Sequence, residues 1–374
     1  MFEHHTLGRR ALLTVAAGAV AALSLAAPAA VAQKSAPKTL IYSDHEPLGG
    51  MRTRFLKDVF FPAIERESNG RLKIEDHWNG EVAQAYDARG AVGTSPGVDM
   101  ATVVPEYSAV ELPLHQIFKS FPMGPTGDAQ VQTLRRIYRE VPEFTDELAK
   151  NNIVNIYIGT GYPVAFLGTA PMANLDGIAR QKWRSASFWH QDFIRNAQAT
   201  PVNMHWGPEV YEALRTGAMN GLMVNVDSAY MLKLHEVAPH VLASKDLWLG
   251  HVYLLGMKKS VWDGLAAEDR QAIQRAAEVS YRTLGNVMDA SFDEQIDDLR
   301  KAGATVRVLG HAEALAWQTA TKYREVQAAW AKAQQEKGVM NAQSVIDKMA
   351  AILNAATDRP PVSGPCAMLV QDMF

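Results

Sequence analysis

Residues 268–301 read EDRQAIQRAAEVSYRTLGNVMDASFDEQIDDLRK, and apolar or small side chains recur along them at Ile273, Ala277, Ser280, Leu284, Met288, Phe292, Ile296 and Leu299. The spacing stays near 3.6 residues throughout, which predicts one uninterrupted amphipathic helix. At 1.5 Å per residue such a helix would run roughly 50 Å, more than one lobe is wide. It predicts a molecule of two lobes with the helix bridging them.

Upstream of that helix the chain alternates strand and helix patterns. Residues 39–42 (TLIY) form a short apolar run, followed by the polar turn Ser43-Asp44-His45-Glu46-Pro47 and a helical pattern over 51–68. Pro62 should kink this helix and Asn69-Gly70 should end it. RLKIEDHW (71–78) and the apolar run 98–104 read as the next two strands. The pattern resumes with strands at 153–158, within GTGYPVAFLG (159–168), and at 183–185, the last leading into a helix over 188–198. Pro208 opens EVYEALRTG, and GLMVNV (221–226) has the continuous apolar character of a strand buried on both faces. This order is that of an α/β protein with crossover connections. Downstream, helices are expected over 312–337 and 342–354, before an exposed tail that starts in DRPPVSGP.

The N-terminus reads as an export signal: Arg9 and Arg10, an Ala/Leu/Val run over 11–27, then Ala30-Val31-Ala32 with the small-x-small pattern of a cleavage site. The arginine pair leaves the general secretory and twin-arginine routes both open. The run is too short and too alanine-rich for a membrane span, so the mature chain is expected not to be membrane-embedded. A formal charge of −3 over 374 residues, with no Lys/Arg block, argues against nucleic acid as a partner. The single cysteine, Cys366, excludes an intramolecular disulfide.

Enzyme motifs are missing. The chain contains no G-x-S-x-G and no H-E-x-x-H; in His235-Glu236-Val237-Ala238-Pro239-His240 the second histidine comes one residue late, and Pro239 would break the turn a zinc site needs. Gly159-Thr160-Gly161 lacks the third glycine of a phosphate loop. No metal or cofactor is expected. Asp44-His45-Glu46 stands at the C-terminal end of a strand, where α/β sheets bind ligands, and reads equally as a solvated turn. Arg184, in QKWRSASFWHQDF (181–193), also ends a strand, with Ser187 three residues on. A guanidinium there can hold a carboxylate by two parallel hydrogen bonds; the alternative is a structural ion pair with an acid elsewhere. Trp183, Phe188 and Trp189 beside it read mainly as core.

NLDGIARQKWRSAS (174–187), ATPVNMHWGPEVYEALRTGAMNGLMVN (199–225) and YMLKLHEVAPHV (230–241) together resemble the central signature of the solute-binding proteins of tripartite ATP-independent periplasmic (TRAP) transporters, the DctP-like family. LIYSDHEPLGG (40–50), NGRLKI (69–74) and VDMATVVPEY (98–107) are similar to its first lobe in order and spacing, so the likeness covers about residues 38–350. It implies a type II-like, Venus-flytrap periplasmic binding protein. Its lobes would be 38–160 with about 250–285, and 161–249 with about 286–355, after a signal peptide of 1–32 and before a tail of 356–374. It implies a receptor that passes a small carboxylate to membrane permease subunits; a stand-alone sensory binding protein and an exported enzyme are the alternatives.

By the same resemblance Arg184 matches the carboxylate clamp, Ser187 a polar lining position, and Trp206 an aromatic against the ligand. Tyr107 and Tyr162 occupy further lining positions, and His45 and Glu46 face the cleft from the first lobe. The chain departs from the family where many members read D-G-Q-E-N-P: the usual Asn position falls on Val224, and the nearest amide is Asn225. One residue along a strand reverses the face, so either residue could meet the ligand. A lining of one arginine and several rings suits an organic acid with few hydroxyls, aromatic or branched.

Overall fold

The computed structural model describes residues 36–248 and 250–357; the expected signal peptide (1–32), Cys366 and most of the expected tail lie outside them. Among the described residues eleven strands form two sheets. The first has the order β2 (Leu72–His77), β1 (Lys38–Ser43), β3 (Met100–Val103), β10 (Val252–Lys258), β4 (Ile153–Thr160). In it β2, β1 and β3 run parallel, while β10 lies antiparallel between β3 and β4. The second sheet has the order β11 (Thr305–Val308), β9 (His240–Ala243), β5 (Val164–Gly168), β8 (Gly221–Asn225), β6 (Lys182–Arg184), β7 (Thr200–Val202).

The chain leaves the first sheet after β4, returns to it as β10, and goes back to the second as β11. Each sheet is thus built from non-contiguous segments, as expected of two lobes. The long helix, Ala267–Lys301, carries the last passage. Its buried side chains from Ile273 to Val287 belong to the apolar core around the first sheet, and those from Met288 to Leu299 belong to a core of the second. The second sheet is buried on both faces: along β5, Val164 and Phe166 enter one core while Ala165 and Leu167 enter the other. That alternation is what the unbroken apolar run of β8 signals.

Four local expectations differ from the structure. The 51–68 helix does not merely bend at Pro62: it passes through a π-helical turn, Leu56–Phe60, between Met51–Phe55 and Phe61–Glu67. The wider turn accommodates a proline that lacks an N–H and would crowd the preceding carbonyls. β3 is shorter than 98–104, running Met100–Val103, and Asp99 just before it holds Ile41 through both its main-chain N–H, at 3.0 Å to the Ile41 carbonyl, and its carboxylate, which accepts from the Ile41 N–H at 2.9 Å. The 312–337 helix is two helices, His311–Thr321 and Tyr323–Glu336, split at Lys322 with φ +49°. Ala314 and Trp317 pack into the second sheet's outer core and Ala331 into the first core, so the break redirects the chain. The final helix, Ala342–Thr357, expected with the second lobe, instead buries Val345, Ile346, Met349, Ile352 and Leu353 in the first core. Among the described residues no helix is long and apolar enough to cross a membrane.

Candidate functional site

A narrow cleft-like cavity, with about 40 Å³ open to the centres of water-sized molecules and about 430 Å³ of empty space when open solvent is included, is bordered by side chains from both sheets. Glu46 follows β1, Glu106 and Tyr107 follow β3, and His251 and Tyr253 come with β10. From the second sheet come Arg184 at the end of β6, Ser185 and Ser187 in the turn after it, Trp206 after β7, and Val224 and Asn225 at the end of β8. The cavity therefore lies off the C-terminal ends of the parallel strands β1, β3, β6 and β8, where the strand-to-helix turns leave polar groups exposed.

Arg184 is 2 % exposed. Its Nε and one terminal nitrogen donate to the Met204 carbonyl at 3.0 and 2.8 Å, and its guanidinium carbon stands 5.3 Å from the Trp206 ring centre. Among the described residues no carboxylate lies within 4.0 Å of it, so the structural ion pair left open by the sequence is not formed. Burial lowers its pKa, against the opposing pull of Tyr107, Glu106 and Tyr86. A buried cation held by a carbonyl and a ring, with a second terminal nitrogen unused, is a poised anion site.

Of the other expected residues, Ser187, Trp206, Tyr107, Asn225 and Glu46 all border the cavity. Asn225 donates from Nδ2 to the Tyr253 hydroxyl at 3.1 Å, and Val224 borders the cavity beside it because the strand ends there and strict alternation stops. Two residues lie outside. Tyr162 points into the second sheet's core, hydrogen-bonded to Ser291 of the long helix with its ring 6.4 Å from Phe292. The apolar surroundings of the crossing segment draw the ring inward. His45 is not among the residues bordering the cavity and meets Tyr107 edge-on, ring centres 6.2 Å apart.

Several residues at the cavity were not singled out in the sequence. Lys119 and Glu106 form a buried ion pair; the Lys119 ammonium also donates to a ring nitrogen of His251 at 3.1 Å. Burial lowers the Lys119 pKa, with Glu106 pulling the other way, and holds His251 well below an ordinary histidine. His190, whose Nδ1 is 3.0 Å from the Ser185 hydroxyl, is pushed down to about 3, by burial first and Lys119 second. Behind Glu46, Arg52 donates to both oxygens of Asp44 at 2.6 and 3.0 Å and to Glu46 at 2.8 Å, and lies 4.4 Å from the Tyr253 ring centre. Burial raises the Asp44 pKa, but Arg52 outweighs it and leaves about 2. The one sequence signal for Lys119 is a single cation inside the apolar run LHQIFKSFP. Among the described residues no group of three or more His, Cys, Asp or Glu is arranged to hold a metal.

The family model of the bacterial extracellular solute-binding proteins, family 7 (DctP), matches residues 53–335. The C4-dicarboxylate-binding periplasmic protein DctP of Rhodobacter capsulatus is 28% identical over 111 residues, 29% of this chain and 33% of that protein. A solute-binding protein of Chromohalobacter salexigens is 30% identical over 179 residues, 43% of this chain and 52% of that protein. The matched stretches thus span a third to about half of these relatives' lengths. Among solved structures, a TRAP solute-binding protein from Rhodoferax ferrireducens in complex with copurified benzoate superposes with a TM-score of 0.73 at 17% identity, over 86% of this chain and 98% of that one. One from Chromohalobacter salexigens with bound D-glucuronate gives 0.70 at 19% identity, over 84% and 99%. These likenesses show the two-lobed fold that the sequence predicted.

Proposed function

The chain belongs to the bacterial extracellular solute-binding proteins of family 7, and from that premise we propose that it is the extracytoplasmic receptor of a TRAP transporter. It holds a small organic acid between its two lobes and delivers it to the membrane permease subunits. The observation that carries this reading is Arg184, a buried cation on the cavity wall with no acidic partner among the described residues. An exported, periplasmic location follows from the same reading, by either export route. So does a binding rather than catalytic role, in keeping with relatives named as solute-binding proteins.

In the proposed complex the Met204 carbonyl occupies the Nε side of the guanidinium, so a carboxylate is taken end-on by the two terminal nitrogens. Ser187 and Asn225 supply further polar contacts, while Trp206 and Tyr107 cover the ligand and exclude water, strengthening the charge pairing. The lobes, 38–160 with about 250–287 and 161–249 with 288–310, close on it as a hinge. Ligands of similar proteins, including benzoate, D-glucuronate and pyroglutamate, share the carboxylate this arrangement requires.

A thermal-shift screen of the mature chain with organic acids tests the proposal. Binding acids should raise Tm, and both Arg184→Ala and Arg184→Lys should lose the shift, because lysine keeps the charge but not the fork. Normal binding by Arg184→Lys, or hits confined to neutral sugars, would rule the clamp out.

A further inference from the structure

Resting on the carboxylate reading above, we infer that the site selects a dipolar acid: a monocarboxylate with an N–H donor or cationic nitrogen at its far end, with dicarboxylates rejected.

The inference comes from pairing the charges around the cavity. Four carboxylates and cations border it: Glu46, Glu106, Lys119 and Arg184. Glu106 and Lys119 neutralise each other in a contact whose members are both nearly sealed from water. Lys119 is therefore not available to a ligand unless that pair is broken, which would leave Glu106 a buried, uncompensated charge. His190 and His251 are neutral at physiological pH for the reasons given above. Among the described residues Arg184 is left as the single cation facing the cavity without an acid.

The opposite wall has the opposite excess. Arg52 serves two carboxylates at once, Asp44 through two hydrogen bonds and Glu46 through one. One guanidinium cannot balance two carboxylates, so one negative charge remains. Asp44 is 1 % exposed and also accepts from the Glu46 N–H and the Tyr42 hydroxyl, so it is closed to any ligand. The surplus is presented by Glu46, whose side chain is 22% exposed and borders the cavity. His45 stands beside both carboxylates, its ring nitrogens 3.7 Å from Asp44 and 4.0 Å from Glu46, and offsets the surplus only when it is protonated. Asp227, fully buried with one oxygen unpartnered, lies in the field of Glu46; burial and that field lift its pKa to about 7, so it adds to the negative side only above neutral pH.

The cavity thus has a positive pole on the second sheet's side, at Arg184, and a negative pole on the first sheet's side, at Glu46. A ligand that places its carboxylate on Arg184 directs its far end toward Glu46. A second carboxylate there meets a like charge with every nearby cation already committed; an N–H or ammonium group meets an acceptor.

Ligands that share one scaffold and differ at its far end test this at pH 8, where an ordinary histidine is neutral. Pentanoate, 4-aminobutanoate and pentanedioate differ only in their far ends, as do 4-methylbenzoate, 4-aminobenzoate and terephthalate. In calorimetric titration of the mature chain the amino member of each set should bind tightest and the dicarboxylate weakest, at least about tenfold apart. Glu46→Gln, which retains an oxygen for Arg52, should erase the advantage of the amino ligands and relax the penalty on the dicarboxylates. A dicarboxylate that binds the wild type as well as its methyl counterpart overturns the inference and leaves the carboxylate reading standing; an unchanged ranking in Glu46→Gln does the same. If none of the six acids binds, the carboxylate reading fails and the inference with it. Should Glu46→Gln not fold, the wild-type ranking decides alone.

Discussion

Asp227 shows how the site's charges tax the folded state. Burial, with Glu46 as the second cause, lifts its pKa from 3.8 to about 7. A carboxyl whose folded pKa lies above its unfolded value binds its proton more tightly when folded. Its contribution is therefore fully present below about pH 4 and is lost progressively as pH rises toward 7. Asp227→Asn removes the titration, so it should melt with the wild type near pH 3.5 and above it at pH 7.5. Melting curves at the two pH values check this, and a variant equally stable or less stable at pH 7.5 would contradict it. Asp44 runs the other way: its lowered pKa stabilises the fold above about pH 4, a contribution lost as pH falls toward 2. Residues of this kind explain which part of the site the sequence displays. Arg184, Trp206 and Asn225 sit at strand ends whose pattern is local, and a local pattern can be read. Glu106 and Lys119 meet only because the turns after β3 and before the Gly127–Glu140 helix fold together. Tyr162 was misplaced for the converse reason, since its neighbour Ser291 lies 129 residues away.

The elements themselves were partly legible, because strand ends and helix periods are set by short-range chemistry: the long helix, seven of the eleven strands among the described residues and the stop at Asn69-Gly70 lie where the sequence puts them, while β7, β9, β10 and β11 were not singled out in it. What the sequence does not show is a helix that remains periodic while changing direction, as at Lys322, or one that absorbs a proline by widening a turn. Packing between elements leaves a trace only where it demands a particular residue. Gly285, in the middle of the long helix, is one such place: a Cβ there would lie 2.4 Å from the backbone of Asp128, at the start of the Gly127–Glu140 helix. Alanine would favour the helix intrinsically by about 1 kcal/mol over glycine. The clash is with main chain and cannot be relieved by a rotamer change, so Gly285→Ala should be destabilising overall, by about 1–3 kcal/mol as for overpacked cores. Denaturant unfolding measures the sign directly; a gain in stability would mean that the two helices can separate at little cost.

At the scale of the molecule, two sheets with separate cores would ordinarily suggest two unfolding units. The connections argue against it. One 35-residue helix supplies side chains to both cores, β10 completes the first sheet only after the second is nearly built, and the final helix returns to the first core from beyond β11. Trp189, from the second sheet's side, donates to the Gln116 carbonyl on the first at 2.7 Å. Unfolding either lobe alone would fray the shared helix and expose apolar surface on the other, at about 25 cal/mol for each Å² uncovered. Calorimetry of the mature chain should therefore give one endotherm, with calorimetric and van't Hoff enthalpies in agreement. A ligand that bridges the two walls should move that endotherm as a whole, since it binds only when both lobes are folded. Two resolved transitions, or a ligand that shifts only part of the heat absorbed, would mean that the lobes fold independently and that the long helix is a tether rather than a shared beam.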